Sequence, residues 1–444
     1  MTSFVPHTDA ELSQMLARLG LSSLDDLFAV VPEALRLMRP LELPPGMGEP
    51  DVAAEMGRLA GANAFGSDLV CFAGGGAYDH EVPAAVRRVA FRSEFVTAYT
   101  PYQPEVAQGV LQALFEYQTL IGRLAGLPIA NASLYDGATA LVEAGNLAAA
   151  ATNGRPGLWI SRGVNPRWRD VVRTFATGTG HSVVDLPLVD GRTSLDDVAG
   201  PAPAAVVVQS PNYLGCLEDI ADAGRAARAM GALLVVCVDP VAAGLLRTAG
   251  SQGADVVVGE GQPLGTPLSF GGPYLGLFAC GLDHVRRVPG RLVGETVDVD
   301  GRRAYVTTLR TREQDIRRER ATSNVCTNQT LIAVACALQL SWLGTGGLRE
   351  LALRCARGTR FAREALLAID GIEPLVGAPT LREFALRLPV DPVVVVDRMA
   401  EEGFLAGIPL EPEHGRGGLL VAVTERRTRA EIEAYADAMQ KVVR

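Results

Sequence analysis

The sequence predicts an α/β fold with a mostly parallel central sheet and a smaller α+β domain at the C-terminal end. From Gly157 onward, short apolar runs alternate with stretches of helical length, and four of these runs are 158–160, 182–184, 205–208 and 233–238. Runs without polar alternation are typical of parallel strands that helices cover on both faces. Near the C-terminal end, by contrast, 384–388 alternates as a half-exposed strand does.

The chain of 444 residues is long enough for more than one domain, and its patterns predict three parts. Residues 1–70 are expected to form a helical arm that begins with an N-cap at Thr8 and packs on the main body or on a partner. Residues 71–345 are expected to form the large α/β domain. Residues 346–444 are expected to form the small α+β domain.

Composition argues against several classes of function. The net charge of −9 and the pI near 5.3 argue against a nucleic-acid surface, which needs a concentrated basic patch. No signal peptide is expected, and we find no uncharged apolar run near the ~20 residues of a membrane helix. The seven cysteines form no CxxC pair, and the five histidines have no metal-ligand spacing. We expect a cytoplasmic protein that binds no metal, membrane or nucleic acid.

The loop that follows the apolar run 255–258 carries the most informative residue of the chain. In pyridoxal-phosphate enzymes of the aminotransferase-like fold, such a strand-to-loop junction presents the lysine that forms the Schiff base. Here the loop has Gln262, and Lys441 near the C-terminus is the sole lysine of the sequence. A carboxamide cannot form an imine with an aldehyde. The sequence therefore predicts a cofactor site that cannot hold its cofactor covalently.

Polar residues follow two of the predicted parallel strands, where ligands of such sheets bind. Asn212 follows one run, and Asp239 follows the next. Two interpretations of Asp239 are open: it caps the next helix, or it is the residue that pairs with a pyridine nitrogen in a pyridoxal-type sheet.

A helix entry and an aromatic loop complete the candidate residues. Ser133, Asp136, Gly137 and Thr139 lead into an Ala-rich helix, where small polar residues form either an anion site or a plain helix cap. The sequence alone does not separate these alternatives. The segment 99–104 combines aromatic residues, a glutamine and two prolines, which predicts an ordered loop that lines a site.

Several long motifs together resemble one family, glycine decarboxylase, the P-protein of the glycine cleavage system. The motifs are 76–80 (GAYDH), 93–95 (SEF), 97–105 (TAYTPYQPE), 131–140, 208–212 (VQSPN), 259–276 and 321–329 (ATSNVCTNQ). The resemblance extends over about residues 1–444. In the split bacterial form of this family there are two homologous subunits, and the chain resembles the first, or alpha, subunit.

The resemblance implies a fold-type-I pyridoxal-phosphate architecture in which a sister subunit 2 carries the lysine and the cofactor. Gln262 falls at the position of that lysine, 133–139 is the counterpart of the phosphate loop, and Asp239 is the counterpart of the pyridine partner. The implied reaction is decarboxylation of glycine, with transfer of the aminomethyl group to the lipoyl group of H-protein. The implied assembly is an α2β2 heterotetramer in which this chain binds no cofactor covalently.

The resemblance also implies residues that reach the subunit interface or line the working site. These are Arg92, Tyr99, Tyr102, Gln103 and Asn212.

Three positions depart from the family's usual residues: Glu81, Asn165 and Asp315. They motivate an alternative in which the chain pairs with a related pyridoxal subunit that acts on another amino acid.

Overall fold

The computed structural model describes residues 6–64, 68–97, 100–196, 198 and 200–444. The chain divides into two compact units, Met1–Ala64 and Phe65–Arg444.

The first unit has two helices, α1 Asp9–Leu19 and α2 Glu49–Gly61, with short 3-10 turns at Leu24–Phe28 and Glu33–Leu35. The N-cap predicted at Thr8 is confirmed: its hydroxyl accepts from the Glu11 amide, and the Glu11 carboxylate accepts from the Thr8 amide. The middle of the predicted helical arm is not helical. Residues 36–48 contain three prolines, which hinder helix formation.

The second unit contains the remaining elements. Its helices are α3 Ala84–Ala90, α4 Ser93–Val96, α5 Pro104–Ala125, α6 Gly137–Ala151, α7 Pro166–Thr179, α8 Ile220–Ala229, α9 Gln314–Arg317, α10 Thr330–Leu367, α11 Pro392–Glu401 and α12 Arg429–Val442. Its strands are β1 Val70–Cys71, β2 Ile129–Ala130, β3 Gly157–Ser161, β4 Ser182–Leu186, β5 Leu188–Val189, β6 Arg192–Thr193, β7 Ala205–Ser210, β8 Leu233–Val238, β9 Val256–Glu260, β10 Gly276–Cys280, β11 Leu292–Val297, β12 Arg303–Thr308, β13 Glu373–Pro374, β14 Glu383–Arg387, β15 Phe404–Leu405, β16 Ile408–Pro409 and β17 Gly418–Ala422.

A seven-stranded sheet in the order β2-β10-β9-β8-β7-β3-β4 forms the centre of this unit. The pairs from β9 through β4 are parallel, and β10 is antiparallel to both of its neighbours. The four predicted runs lie in β3, β4, β7 and β8, so their parallel pairing is confirmed. The predicted burial is wrong for 182–184, because β4 is an edge strand and is only partly buried.

Helices cover both faces of this sheet. On one face, side chains of α5, α8 and α10 share a buried cluster with Val206 and Val236. On the other face, α6 and α7 pack against Val207 and Val235. Alternate residues of one strand therefore point into two separate cores, which is why the strand sequences are apolar without alternation.

A four-stranded antiparallel sheet, β13-β14-β17-β16, lies in the C-terminal part. The prediction that 384–388 is half exposed is wrong, because β14 is buried on both faces up to Arg387. Phe384 packs in a cluster with α12, whereas Ala385 packs in a cluster with Tyr213.

By length and composition alone, helix α10 is long and apolar enough to span a membrane, and its most apolar window has a mean hydropathy of 1.6. The expectation that no apolar run is long enough is therefore wrong. Half of that window is buried inside the structure, and Ala333 and Cys336 pack in the core against the sheet. This burial is what a core helix requires. The helical geometry is interrupted at Gly344, next to the predicted boundary between residues 345 and 346.

Candidate functional site

Gln262 lies just beyond β9 and is completely buried. Its side-chain oxygen accepts a hydrogen bond from the Tyr78 amide at 2.9 Å. Its side-chain nitrogen donates to the carbonyls of Tyr78 at 3.0 Å and Thr266 at 2.8 Å. The position therefore needs both an acceptor and a donor, and a lysine offers no acceptor. Gln262 fixes the loop that contains Tyr78.

Glu260, the last residue of β9, is a site residue that sequence reasoning missed. One carboxylate oxygen accepts from the Gly137 amide at 2.9 Å, and the other accepts from the amides of Gln262 at 2.9 Å and Leu275 at 2.8 Å. Burial raises the pKa of Glu260 to about 8. The first amide of α6, where an anion would bind, is thus bonded to the chain's own side chain. In the sequence, the signal that could have identified Glu260 was an acidic residue at the end of an apolar strand.

The residues of the predicted anion loop are hydrogen-bonded within the chain. Asp136 caps α6 by accepting from the Thr139 amide at 2.7 Å, which is the plain-cap alternative. The Ser133 hydroxyl accepts from the Gln329 amide at 3.1 Å. Gly137 bonds to Glu260, as described above. A binding role for these residues stays a prediction.

Asp239 follows β8 and forms an ion pair with Arg382, 2.7 Å between the carboxylate oxygen and a guanidinium nitrogen. The contact is an ion pair rather than a well-directed hydrogen bond. The guanidinium also lies 3.5 Å from the centre of the Tyr78 ring, in a cation–π contact. Arg382 stands immediately before β14, more than a hundred residues from Asp239. A planar cation of the chain itself therefore occupies the position between the acid and the aromatic ring.

His80 connects this arginine to Glu425. The arginine contacts the Nε2 atom of His80, and Nδ1 lies 2.6 Å from the Glu425 carboxylate. Because arginine can only donate, we assign Nε2 as the acceptor and place the ring proton on Nδ1, which donates to Glu425. Although burial acts in the opposite direction, this hydrogen bond helps to hold the pKa of Glu425 below its ordinary value.

Cys355 brings a third potential metal ligand close to His80 and Glu425. A metal would need the lone pair of Nδ1, which would move the ring proton to Nε2, against the guanidinium of Arg382. The cluster does not fit a metal ion in this arrangement. It fits a network that runs from the Asp239–Arg382 ion pair through His80 to Glu425.

Glu383 binds the same loop. We call the space lined by Tyr78, Asp239, Glu260, Arg382 and Glu383 the cleft. Its carboxylate accepts from the Gly75 amide at 2.6 Å and from the Tyr78 hydroxyl at 2.8 Å. Gln262, Glu383 and Glu425 thus all bind the segment 75–81. None of the acids was a candidate in the sequence, because each is more than 180 residues from the loop that it binds.

The cavity that remains between these groups is about 40 Å³ in volume. A water molecule needs about 10–15 Å³ of such space, so the cavity accommodates a few water molecules. A pyridine ring that bears a phosphate is far larger. The residues present therefore do not fit pyridoxal phosphate: Gln262 stands where the sequence predicts the lysine, Arg382 pairs with Asp239, and Glu260 accepts from the first amide of α6.

The predicted interface residues lie in different environments. Tyr102 is partly exposed; its hydroxyl accepts from Arg291 at 3.1 Å, and the guanidinium of Arg310 lies 4.9 Å from the ring centre. Arg92 is exposed and paired with Glu94.

Gln103 is exposed at the start of α5. Tyr99 lies outside the described residues. Asn212 does not lie at a surface: it is completely buried, and its side-chain oxygen closes a turn by accepting from the backbone amides of Leu214 and Cys216.

The three departures have partners within the chain. Asn165 is buried, caps α7, and donates to the Gly75 carbonyl at 2.8 Å. Glu81 is exposed and lies 3.6 Å from Arg426, and Asp315 forms an ion pair with Arg310. Asn165 is therefore used within the chain, whereas Glu81 and Asp315 lie in exposed ion pairs.

The sequence model of the glycine cleavage system P-protein family matches residues 2–439. The chain belongs to this family. A protein named probable glycine dehydrogenase (decarboxylating) subunit 1, from Desulforamulus reducens, is 47% identical over 439 residues, which is 98% of each chain. The protein of the same name from Moorella thermoacetica is 48% identical over 447 residues, or 99% of this chain and 100% of the relative.

A solved structure described as glycine decarboxylase (P-protein) of the glycine cleavage system, in inhibitor-bound form, matches with a TM-score of 0.91. It is 47% identical, and the match covers 99% of this chain and all of that one. Lactobacillus brevis glutamate decarboxylase matches with a TM-score of 0.69 at 13% identity, which shows the fold alone. The resemblance and the fold-type-I architecture predicted from the sequence are confirmed.

Proposed function

We propose that the chain is subunit 1 of glycine dehydrogenase (decarboxylating), the subunit that holds no pyridoxal phosphate and is inactive alone. One observation carries this proposal: Gln262, the residue at the predicted lysine position, has its side-chain amide fully hydrogen-bonded, in a chain that matches relatives named subunit 1 over almost its full length. A sister subunit that bears the lysine would supply pyridoxal phosphate, which accepts the electrons released when carbon dioxide leaves.

The contribution of this chain would be to shape and to cover the partner's working site. Tyr102 is held between two guanidinium groups, which orient its ring and hydroxyl without extensive burial. An oriented, partly exposed aromatic residue is suited to position a substrate or to exclude water at a neighbouring site. We propose that Tyr102, with Gln103, Arg92 and Tyr99, belongs to that surface.

The partners follow from the same proposal. Glycine would be the substrate, the lipoyl group of H-protein would accept the aminomethyl group, and the assembly would be an α2β2 heterotetramer in the cytoplasm. Because the three departures have partners within the chain, no observation favours a second function that acts on another amino acid.

The test is exchange of labelled bicarbonate into the carboxyl group of glycine, with H-protein present. The assay is run on this chain alone, on the sister subunit alone, and on the mixture. We expect exchange only in the mixture, and no borohydride-reducible pyridoxal adduct on this chain. Exchange by this chain alone would contradict the proposal, as would a mixture that forms a stable complex without activity.

A further inference from the structure

Arg291, the residue immediately before β11, is almost completely buried. One terminal nitrogen of its guanidinium donates to the side-chain oxygen of Asn328 at 2.9 Å. The other terminal nitrogen donates to the Tyr102 hydroxyl at 3.1 Å and to the Cys326 carbonyl at 2.8 Å. A single side chain therefore joins the loop that precedes α5 to the segment that precedes α10.

The loop that leads into α6 fixes Arg291 in place. The backbone carbonyl of Arg291 accepts from the Ala132 amide at 2.9 Å. Asn328, which accepts from the guanidinium, in turn donates to the Ala132 carbonyl at 3.1 Å and to the Ser133 hydroxyl at 3.2 Å. The guanidinium and one of its acceptors are thus anchored on the same buried loop. The position of the guanidinium is therefore set by that loop, and not by the more exposed Tyr102.

The charge of Arg291 exceeds what a packing role requires. All three acceptors described for its side chain are neutral oxygens, and its Nε atom is buried without a hydrogen-bond partner. Arg382, the buried arginine of the cleft, is instead paired with the Asp239 carboxylate. Burying a cation against neutral acceptors is unfavourable for the free energy of folding. A cation at this position therefore indicates a use of its charge and of its planar, forked shape.

The Tyr102 hydroxyl keeps its own proton for a further acceptor. Because arginine can only donate, the hydroxyl oxygen accepts from Arg291. Among the described residues, Arg291 is the one hydrogen-bond partner of this hydroxyl, and Tyr102 is 44% exposed. The ring is held by Arg291 and Arg310, whose guanidinium carbons lie 5.2 and 4.9 Å from its centre. The hydroxyl proton is thus available to an acceptor outside the chain, and a carboxylate is such an acceptor.

We propose that Arg291 is a positioning residue for the reaction at the sister subunit's site, because it orients Tyr102 so that the hydroxyl donates to the carboxylate of the amino-acid substrate. Arg291 itself does not touch the substrate and acts through Tyr102. The inference rests on the proposed function and deepens it, since it names the residue that prepares the surface of this chain for the substrate.

The test is the exchange of labelled bicarbonate into glycine by the mixture with the sister subunit and H-protein, measured as kcat and as KM for glycine. Tyr102→Phe removes the hydroxyl alone and should raise KM about tenfold. The carboxylate loses its charge as carbon dioxide leaves, so this hydrogen bond favours binding and kcat should change little. Arg291→Lys keeps the charge but not the fork that spans three acceptors, and it should raise KM by a similar factor.

The double variant separates a positioning role from an independent one. If both residues act through one hydrogen bond, Tyr102→Phe with Arg291→Lys should raise KM about tenfold, as each single variant does. Independent roles would multiply to an increase of about 100-fold, which overturns the inference. The matched control is Arg303→Lys, at an arginine that lies 5.8 Å from the centre of the Tyr305 ring on β12, and it should leave KM unchanged.

The unfolding temperature of each variant and its affinity for the sister subunit show whether the role is only structural. A loss of stability or of affinity without a rise in KM overturns the inference. Tyr102→Phe changes a partly exposed residue and should fold normally, so an unchanged KM in this variant alone also overturns it and leaves the proposed function intact. A native mixture that performs no exchange overturns the proposed function and the inference together.

Discussion

The cleft beside β9 and the N-terminal unit differ in opposite directions from the usual pattern, in which polar side chains are exposed and apolar side chains are buried. In the cleft, charged and polar side chains such as Arg382, Glu260 and Gln262 are buried, and other parts of the chain supply their partners. In the N-terminal unit, apolar side chains are exposed without such partners. Burying a charge is unfavourable unless it is paired, whereas exposing an apolar surface is unfavourable until it is covered. The comparison teaches that the polar groups of the cleft are paired within this chain, whereas the apolar side chains of the N-terminal unit are not covered within that unit.

The largest expected effect on stability comes from removing the Arg382 side chain from the cleft. Arg382→Ala leaves the Asp239 carboxylate buried without its cation and should lower the free energy of unfolding by about 3–5 kcal/mol, measured by urea denaturation. Added guanidinium at low, non-denaturing concentration should restore part of the loss, with sodium at equal ionic strength as the control. The matched variant Arg354→Ala, at an exposed ion pair, should leave the free energy of unfolding almost unchanged. A similar loss in both variants would mean that the cleft does not depend on this pairing.

Gln262→Lys tests whether the lysine alone would restore the cofactor site. The lysine provides no acceptor for the Tyr78 amide and buries an ammonium, so we expect stability to fall by about 2–4 kcal/mol. We expect no absorbance of an imine with added pyridoxal phosphate, because Arg382 and Glu260 still fill the cleft. A yellow, borohydride-reducible adduct at position 262 would show that the cleft can open.

The third prediction concerns pH. Burial raises the pKa of Glu260 from 4.5 to about 8, so between these values the folded chain keeps a proton that the unfolded chain has lost. The contribution of Glu260 to stability is therefore fully present below pH 4.5 and decreases as pH rises toward 8, by up to about 1.4 kcal/mol per pH unit. Unfolding measured from pH 5 to pH 9 should show a steeper decline in the native chain than in Glu260→Gln. Identical slopes would mean that Glu260 is ionised throughout.

The smallest expected effect lies in the arm. Met38→Ala, at a side chain that is 80% exposed, should change the stability of the chain alone by less than about 0.5 kcal/mol. The same substitution at the completely buried Met399 should cost about 2–5 kcal/mol. A loss at Met38 close to that at Met399 would show that the chain itself covers the arm.

Much of the fold could be predicted because its signals are local. The parallel strands are apolar runs a few residues long, and Thr8 and Thr428 cap their helices through residues three positions away. The absence of a Schiff-base lysine at Gln262 was equally visible, because it depends on one loop that follows one strand. The prediction that the strand at 384–388 is half exposed was wrong, because two elements from distant parts of the chain cover its two faces.

The contents of the cleft could not be predicted in the same way. His80 meets Arg382 and Glu425 across more than 300 residues, and nothing near any of the three marks the pairing. The sequence by itself determined that this chain has the strands, caps and loop of a pyridoxal-type fold without the lysine, because those features depend on near neighbours. Only the tertiary structure decided that Arg382 and Glu260 lie where the sequence predicts a cofactor site, because a buried charged or polar group is stabilised by whichever partner the fold brings within about 3 Å of it.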